Sequence, residues 1–161
     1  MANSLQELYV EQLQDLYDAE NQIIKALPTI IEAARSEELR TVLTTHLEVR
    51  RNQAGRIETI CQELGEDPQK EKCKGIEGVL REGSEVLKEV SQEIRDAAII
   101  AAAQRVEHYE MAGYGTAHTY ATLLGYDEAV SLLEQTLKEE EEADRTLSGL
   151  AEGLNVEALK T

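Results

Sequence analysis

Apolar side chains recur along this chain at alternating steps of three and four, the spacing that lines them up on one face of an α-helix, and four such seams can be traced. The first runs Tyr9, Leu13, Leu16, Glu20, Ile23, Leu27, Ile30 and Ala34, opened by Ser4 and Glu7 at capping-box spacing. Pro28 removes a backbone donor inside it and is expected to kink the helix. Ser36 caps the second, which reads Leu43, His46, Arg50, Gln53, Ile57, Ile60 and Leu64 and stops at Gly65. The third is predicted to start near Ser84 and carries Ile100, Ala103, Glu107, Glu110, Tyr114, Ala117, Ala121 and Leu124 before Gly125. Asp127 is expected to cap the fourth, with Val130, Leu133, Leu137, Glu140, Asp144, Leu147, Ala151 and Leu154. Helices are thus predicted at about 4–34, 37–64, 84–124 and 127–153, in a single domain over 1–161. Two short turns make two antiparallel hairpins, and the glycine-rich, charged stretch 65–83 is the one long connection, with room for a short helix around Ile76–Arg81.

Each seam is interrupted where a core should be apolar: Glu20, then His46, Arg50 and Gln53, then Glu107 and Glu110, then Glu140 and Asp144. Two like charges about 4 Å apart cost about 4 kcal/mol at an effective dielectric near 20, before desolvation is counted. Five inward carboxylates therefore require a positive partner. With about 1.5 Å of rise per residue, and with the long connection crossing from one end of the bundle to the other, the heights can be compared. Glu20, Glu110 and Glu140 then share a level near mid-height, and His46, Glu107 and Asp144 share another roughly 5–6 Å away. Six ligand-type side chains in two adjacent layers suit a pair of divalent ions. Oxygen-rich ligation with one imidazole favours iron or manganese over zinc. The open alternative is an ion network: Glu20, Glu110 and Glu140 could surround Arg50, Glu107 or Asp144 could pair with it, and His46 could be a satisfied core histidine.

Neighbouring polar residues are assigned lesser parts. Glu48 points away from His46 and is expected in solvent, and the run from Glu139 to Glu142 is a solvated face apart from Glu140. His108 lies beside two candidate ligands but on another face, which suits a supporting role, whereas His118 is about 16 Å from Glu107 along the helix. Tyr114, one turn from Glu110, is expected in the core, with a hydrogen bond to the cluster as the alternative.

Composition narrows the class. The chain has no Trp or Phe, only 2 Pro, and a formal charge of −16, which disfavours helix-breaking β architectures and repels nucleic acid and anionic membranes. No stretch matches a secretory leader or a membrane span, so a cytoplasmic protein is expected. Cys61 and Cys73 are expected as thiols. Cys73 lies between Lys72 and Lys74, which would favour the thiolate, but an inert surface thiol is the simpler expectation.

At these residues the chain resembles the YciE/YciF family of bacterial stress proteins, within the ferritin-like superfamily. The resemblance rests on Leu16-Tyr17-Asp18-Ala19-Glu20, on His46-Leu47-Glu48, on Val106-Glu107-His108-Tyr109-Glu110 with Gly113-Tyr114-Gly115, and on Thr136-Leu137 leading to Glu139, Glu140 and Asp144. It implies an all-α, ferritin-like four-helix bundle with an end-to-end crossover, a rubrerythrin-like dinuclear site, a homodimer and a role in stress. Ferritin-like sites usually use Glu-x-x-His on two helices. Here Leu43 stands three residues before His46, Arg50 stands where the internal offset of ninety residues would place an acid, and the last helix offers Asp144 rather than histidine. Glu20, His46, Glu107, Glu110, Glu140 and Asp144 are thus the candidate ligands for two iron or manganese ions. Oxidation of the metal by oxygen or peroxide is the expected chemistry, with peroxide turnover at a dimanganese centre as a variant. The contrasting expectation is a non-catalytic protein that works by dimerisation or partner binding, its ions purely structural.

Overall fold

The computed structural model describes residues 2–160, so the two ends of the expected domain, residues 1 and 161, lie outside the described residues. Among the described residues there are five helices: α1 (Leu5–Ala33), α2 (Glu37–Leu64), α3 (Lys74–Glu89), α4 (Arg95–Leu124) and α5 (Asp127–Ala158). Ser4 and Ser36 cap α1 and α2 by accepting from the backbone N–H of Glu7 and Leu39. Gly65 and Gly125 close α2 and α4 in the left-handed conformation, at φ of 71° and 78°. Pro28 sits inside α1, which continues for five residues beyond it.

Three helix ends depart from expectation, one of them the last, where α5 runs to Ala158 rather than to about 153. The third long helix begins at Arg95, not near Ser84, because residues 74–89 form a separate helix and the chain breaks at 90–94. That break carries neither Gly nor Pro. It is held from outside: Asp96 accepts the backbone N–H groups of Arg35 and Ser36, at 2.8 Å each, and the Arg35 guanidinium donates to Gln92 O. The start of α4 is therefore docked on the α1–α2 turn. At α5 the N-cap is Tyr126, which makes no side-chain capping bond, and Asp127 falls in the first turn, where its charge faces the helix dipole favourably.

The four long helices touch in a ring, α1 against α2 and α4, and α5 against α4 and α2, while α3 lies across α1 and α4. Side-chain pairings run antiparallel between α1 and α2, with Tyr17 on Glu58 and Glu20 on Arg50, and between α2 and α5, with Gln53 on Glu140 and Arg56 on Thr136. One apolar cluster joins the start of α1 to the end of α2, the end of α4 and the start of α5. A second joins the opposite ends with α3. The connection from α2 to α4 therefore crosses the length of the molecule. It is fastened to α1 by Gln14 donating to Asp67 O, Gln22 donating to Cys73 O, and Cys73 N–H donating to Asp18. Among the described residues no helix is long and apolar enough to cross a membrane.

Cys73 is not a surface thiol. It is fully buried as the N-cap of α3, its sulfur 3.1 Å from the Tyr109 hydroxyl and 3.2 Å from Asp15, and burial raises its pKa despite the flanking lysines. Gly75 lets Tyr109 lie against this turn, since a Cβ there would fall on the Tyr109 hydroxyl and ring. Gly75→Ala is expected to displace Tyr109 and cost about 1–3 kcal/mol, readable as a lowered Tm with the other helices intact.

Candidate metal centre

Between the two apolar clusters lies a layer of buried polar side chains: Glu20, Arg50, Gln53, Glu107, Glu110 and Glu140 are each 3% exposed or less. They come from α1, α2, α4 and α5, one or two from each, at the seam positions where helical spacing called for leucine. Burying four carboxylates from three helices around an arginine from the fourth requires every long helix to hold its register against the others. The apolar clusters above and below supply that register.

Arg50 stands at the centre. Its guanidinium is 2.6 Å from Glu107 Oε2, 2.9 Å from Glu140 Oε2 and 3.4 Å from Glu20 Oε2, and it is in direct contact with Glu110 Oε2. Oxygens of Glu20, Glu110 and Glu140 all lie within 4.8 Å of one another, a spacing that a single cation could bridge. Two neighbours orient the group. Tyr114 donates its hydroxyl to Glu20 Oε1 at 2.6 Å, and Gln53 donates its amide to Glu140 Oε1 at 2.6 Å. Outside these, Arg56 makes a two-pronged contact with Glu139 and also reaches Thr136, which fixes α2 against α5.

The layer is short of positive charge. Four carboxylates face one guanidinium, and Glu110 Oε1 is buried with no hydrogen-bond partner. Burial pushes Glu20 up to about 7, partly offset by Arg50 and Tyr114. Burial likewise raises Glu140 well above the usual carboxylate range, outweighing Arg50. Glu107 goes the other way: burial opposes its ionisation, but Arg50, a hydrogen bond shared with Glu140 and the His46 ring hold it below its ordinary value. Arg50 stays charged although burial disfavours it, because Glu107, Glu140 and Glu20 surround it. Tyr114 is held as a phenol by burial and by the Glu20 carboxylate, which keeps it a donor. Burial thus favours the protonated forms of Glu20 and Glu140, which lessens the negative charge of the layer.

Of the six residues expected from spacing, Glu20, Glu110 and Glu140 converge as one group. Glu107 joins them through Arg50, and His46 Nδ1 lies 3.8 Å from Glu107 Oε1, on the second level where height placed it. Burial lowers the His46 pKa, assisted by Arg50 and opposed by Glu107. Asp144 is turned aside: it accepts from Gln104 at 3.1 Å and faces His108 Nε2 at 3.3 Å near the surface between α4 and α5. Those two partners hold its side chain outside the central group. Glu48 is exposed and paired with Arg51, as expected of a solvated residue. Tyr114 is both buried in the core and hydrogen-bonded to the cluster. Gln53 is the contributor that spacing underrated, visible only as one of three successive polar positions, with His46 and Arg50, on the α2 seam.

The residues present fit a divalent cation held by Glu20, Glu110 and Glu140, because one Glu110 oxygen is buried without a hydrogen-bond partner and the donors are hard and oxygen-only. Comparison with known proteins places the chain. Residues 4–160 match the family described as Domain of unknown function (DUF892). The chain is 40% identical over 150 residues to Protein YciF of Escherichia coli strain K12, covering 92% of this chain and 90% of that protein. Its fold superposes on the crystal structure of the E. coli stress protein YciF with a TM-score of 0.90 at 38% identity, covering 95% of this chain and 98% of the other. YcfI from Rhodopseudomonas palustris gives a TM-score of 0.88 at 40% identity, covering 91% and 94% of the two chains. A Xanthomonas campestris protein shares the fold at a TM-score of 0.77 and 20% identity, covering 97% and 96%. With a family match over nearly its full length and two relatives near 40% identity, the chain belongs to the DUF892 family, alongside the stress protein YciF.

Proposed function

We propose that this is a ferritin-like metal-binding stress protein in which Glu20, Glu110 and Glu140 hold one iron or manganese ion, while the Arg50 guanidinium stands in the place of a second. What supports it above all is the charge imbalance of the buried layer: three carboxylates within 4.8 Å, one guanidinium, and Glu110 Oε1 without a partner. Uncompensated buried charge is among the most costly features a core can contain, and a divalent cation removes most of it. The two ions expected from spacing are thereby narrowed to one, since Arg50 already neutralises Glu107.

A bound iron or manganese would supply Lewis acidity and a one-electron couple for oxygen or peroxide. This chain's own residues set the conditions around it. Tyr114 holds Glu20 by one oxygen and leaves Oε2 toward the centre, and Gln53 does the same for Glu140. Apolar clusters flank the layer on both sides. Access is from the α2–α5 side, where a cleft of about 310 Å³ lined by Thr41, Thr45, Glu139 and Glu142 reaches His46, Arg50 and Glu140. An acidic mouth of this kind concentrates cations.

Calorimetric titration of chelator-treated protein with Mn²⁺ tests the assignment. One site per chain is expected, weakened at least tenfold by Glu110→Gln, a change that keeps the side chain's shape. Unchanged affinity in that variant, or no saturable binding in the wild type, would remove the metal. A second account draws on Arg50 reaching all four carboxylates: the network alone, with protons on Glu20 and Glu140, would then be the finished structure and the protein would act through partners.

A further inference from the structure

A cavity of about 400 Å³ opens between α1, α3 and α4 on the side of the polar layer away from the α2–α5 cleft. Its walls are aliphatic, with Ile23, Leu27 and Ile30 from α1, Leu80 and Leu87 from α3, and Ile99 from α4. Its inner end is different: there His46, Arg50 and Glu107 contribute to the lining. The size falls in the range of small-molecule sites, and an apolar barrel with a few polar groups converging at one end is the usual form of such sites. Part of the wall is α3, which interrupts the crossover and is held against α4 closely enough that a Cβ on Gly83 would stand 3.2 Å from Ala102.

We propose that this cavity binds an unbranched aliphatic molecule whose head group donates hydrogen bonds and carries no negative charge, tail along α1 and α3 and head against Glu107 and His46. The aliphatic lining calls for the tail, since methylenes are favourably removed from water there. The inner end chooses the head. Arg50 is already in contact with four carboxylates, so a ligand carboxylate arriving there meets an acid-rich layer with its one cation taken. A hydroxyl instead finds acceptor oxygens on Glu107. The only other cation of the lining, Lys88, is exposed at the outer rim on α3, where a fatty acid could bind only reversed, with its tail driven against the charged end. The inference stands on the cavity and its lining, whether or not an ion sits among Glu20, Glu110 and Glu140.

Titration of the full-length protein with 1-octanol and, separately, with sodium octanoate, followed by amide NMR, tests it. Saturable one-to-one binding of octanol is expected, with shifts concentrated at Gly83, Ala102 and Ala103, and octanoate at least tenfold weaker. Ala103→Phe should abolish octanol binding, and the milder Ala102→Leu should weaken it if the larger ring perturbs folding. Absence of saturable shifts in the wild type, shifts scattered over the surface, or octanoate binding as tightly as octanol would overturn the proposal.

Discussion

Replacing Arg50 with methionine is expected to cost metal-free protein about 3–5 kcal/mol at pH 8, the usual consequence of removing one partner from a buried ion cluster. In a chain of this length that corresponds to a fall in Tm of roughly 6–20 °C. Methionine fills much of the same volume, so the loss comes from charge rather than from a cavity. Glu20, Glu107, Glu110 and Glu140 would be left buried with no cation among them. The variant should recover in two ways. Lowering the pH toward 5 protonates the carboxylates, and adding Mn²⁺ supplies the missing charge. With the guanidinium gone, its place beside Glu107 and His46 becomes available, and Arg50→Met should take up one ion more than the single ion proposed for the wild type. A variant as stable as the wild type at pH 8 with chelator would mean that the carboxylates are not held by positive charge.

The metal-free wild type should itself lose stability as the pH rises from 5 to 8.5, opposite to the behaviour of an ordinary salt-bridged carboxylate. Glu20 is raised from 4.5 to about 7 by burial, so the folded state holds its proton more tightly than the unfolded chain does. The resulting stabilisation is complete below the unfolded value and is lost as the pH climbs through about 7, a change of about 3 kcal/mol. Glu140, raised by the same cause, adds to the loss. Glu107 is depressed, and its contribution disappears only at the acid end, as the pH falls through its folded value. Binding of a cation expels the protons from Glu20 and Glu140, so the stabilisation by Mn²⁺ should grow with pH over the same window. Thermal melts with and without chelator measure both slopes, and Glu20→Gln should flatten the metal-free one.

Much of this was legible from spacing because the decisive residues violate it. Glu20, Glu110 and Glu140 sit where leucine belongs, and equal distances from two turns at opposite ends put them at one height, which the structure realises as a buried group. The helix ends at Ser4, Ser36, Gly65 and Gly125 were equally clear, since each is a local matter of one side chain or one φ angle. The remainder depends on contacts far apart in sequence. The break at 90–94 is set by Asp96 and Gln92 meeting Arg35, some sixty residues away, and the intervening Val-Ser-Gln-Glu-Ile carries no stop signal. Asp144 has the right height but the wrong azimuth, which a count of residues along a helix does not resolve closely. Cys73, expected at the surface, is instead the cap of α3, which turns its sulfur inward to Asp15 and Tyr109.

The most direct measurement is elemental analysis combined with an anomalous-scattering map of crystals grown from protein purified without chelator. A peak among the carboxylates of Glu20, Glu110 and Glu140, at the iron or manganese edge and close to one equivalent per chain, is the expected result. No peak there, with Arg50 alone contacting all four glutamates in well-defined density, would contradict the account.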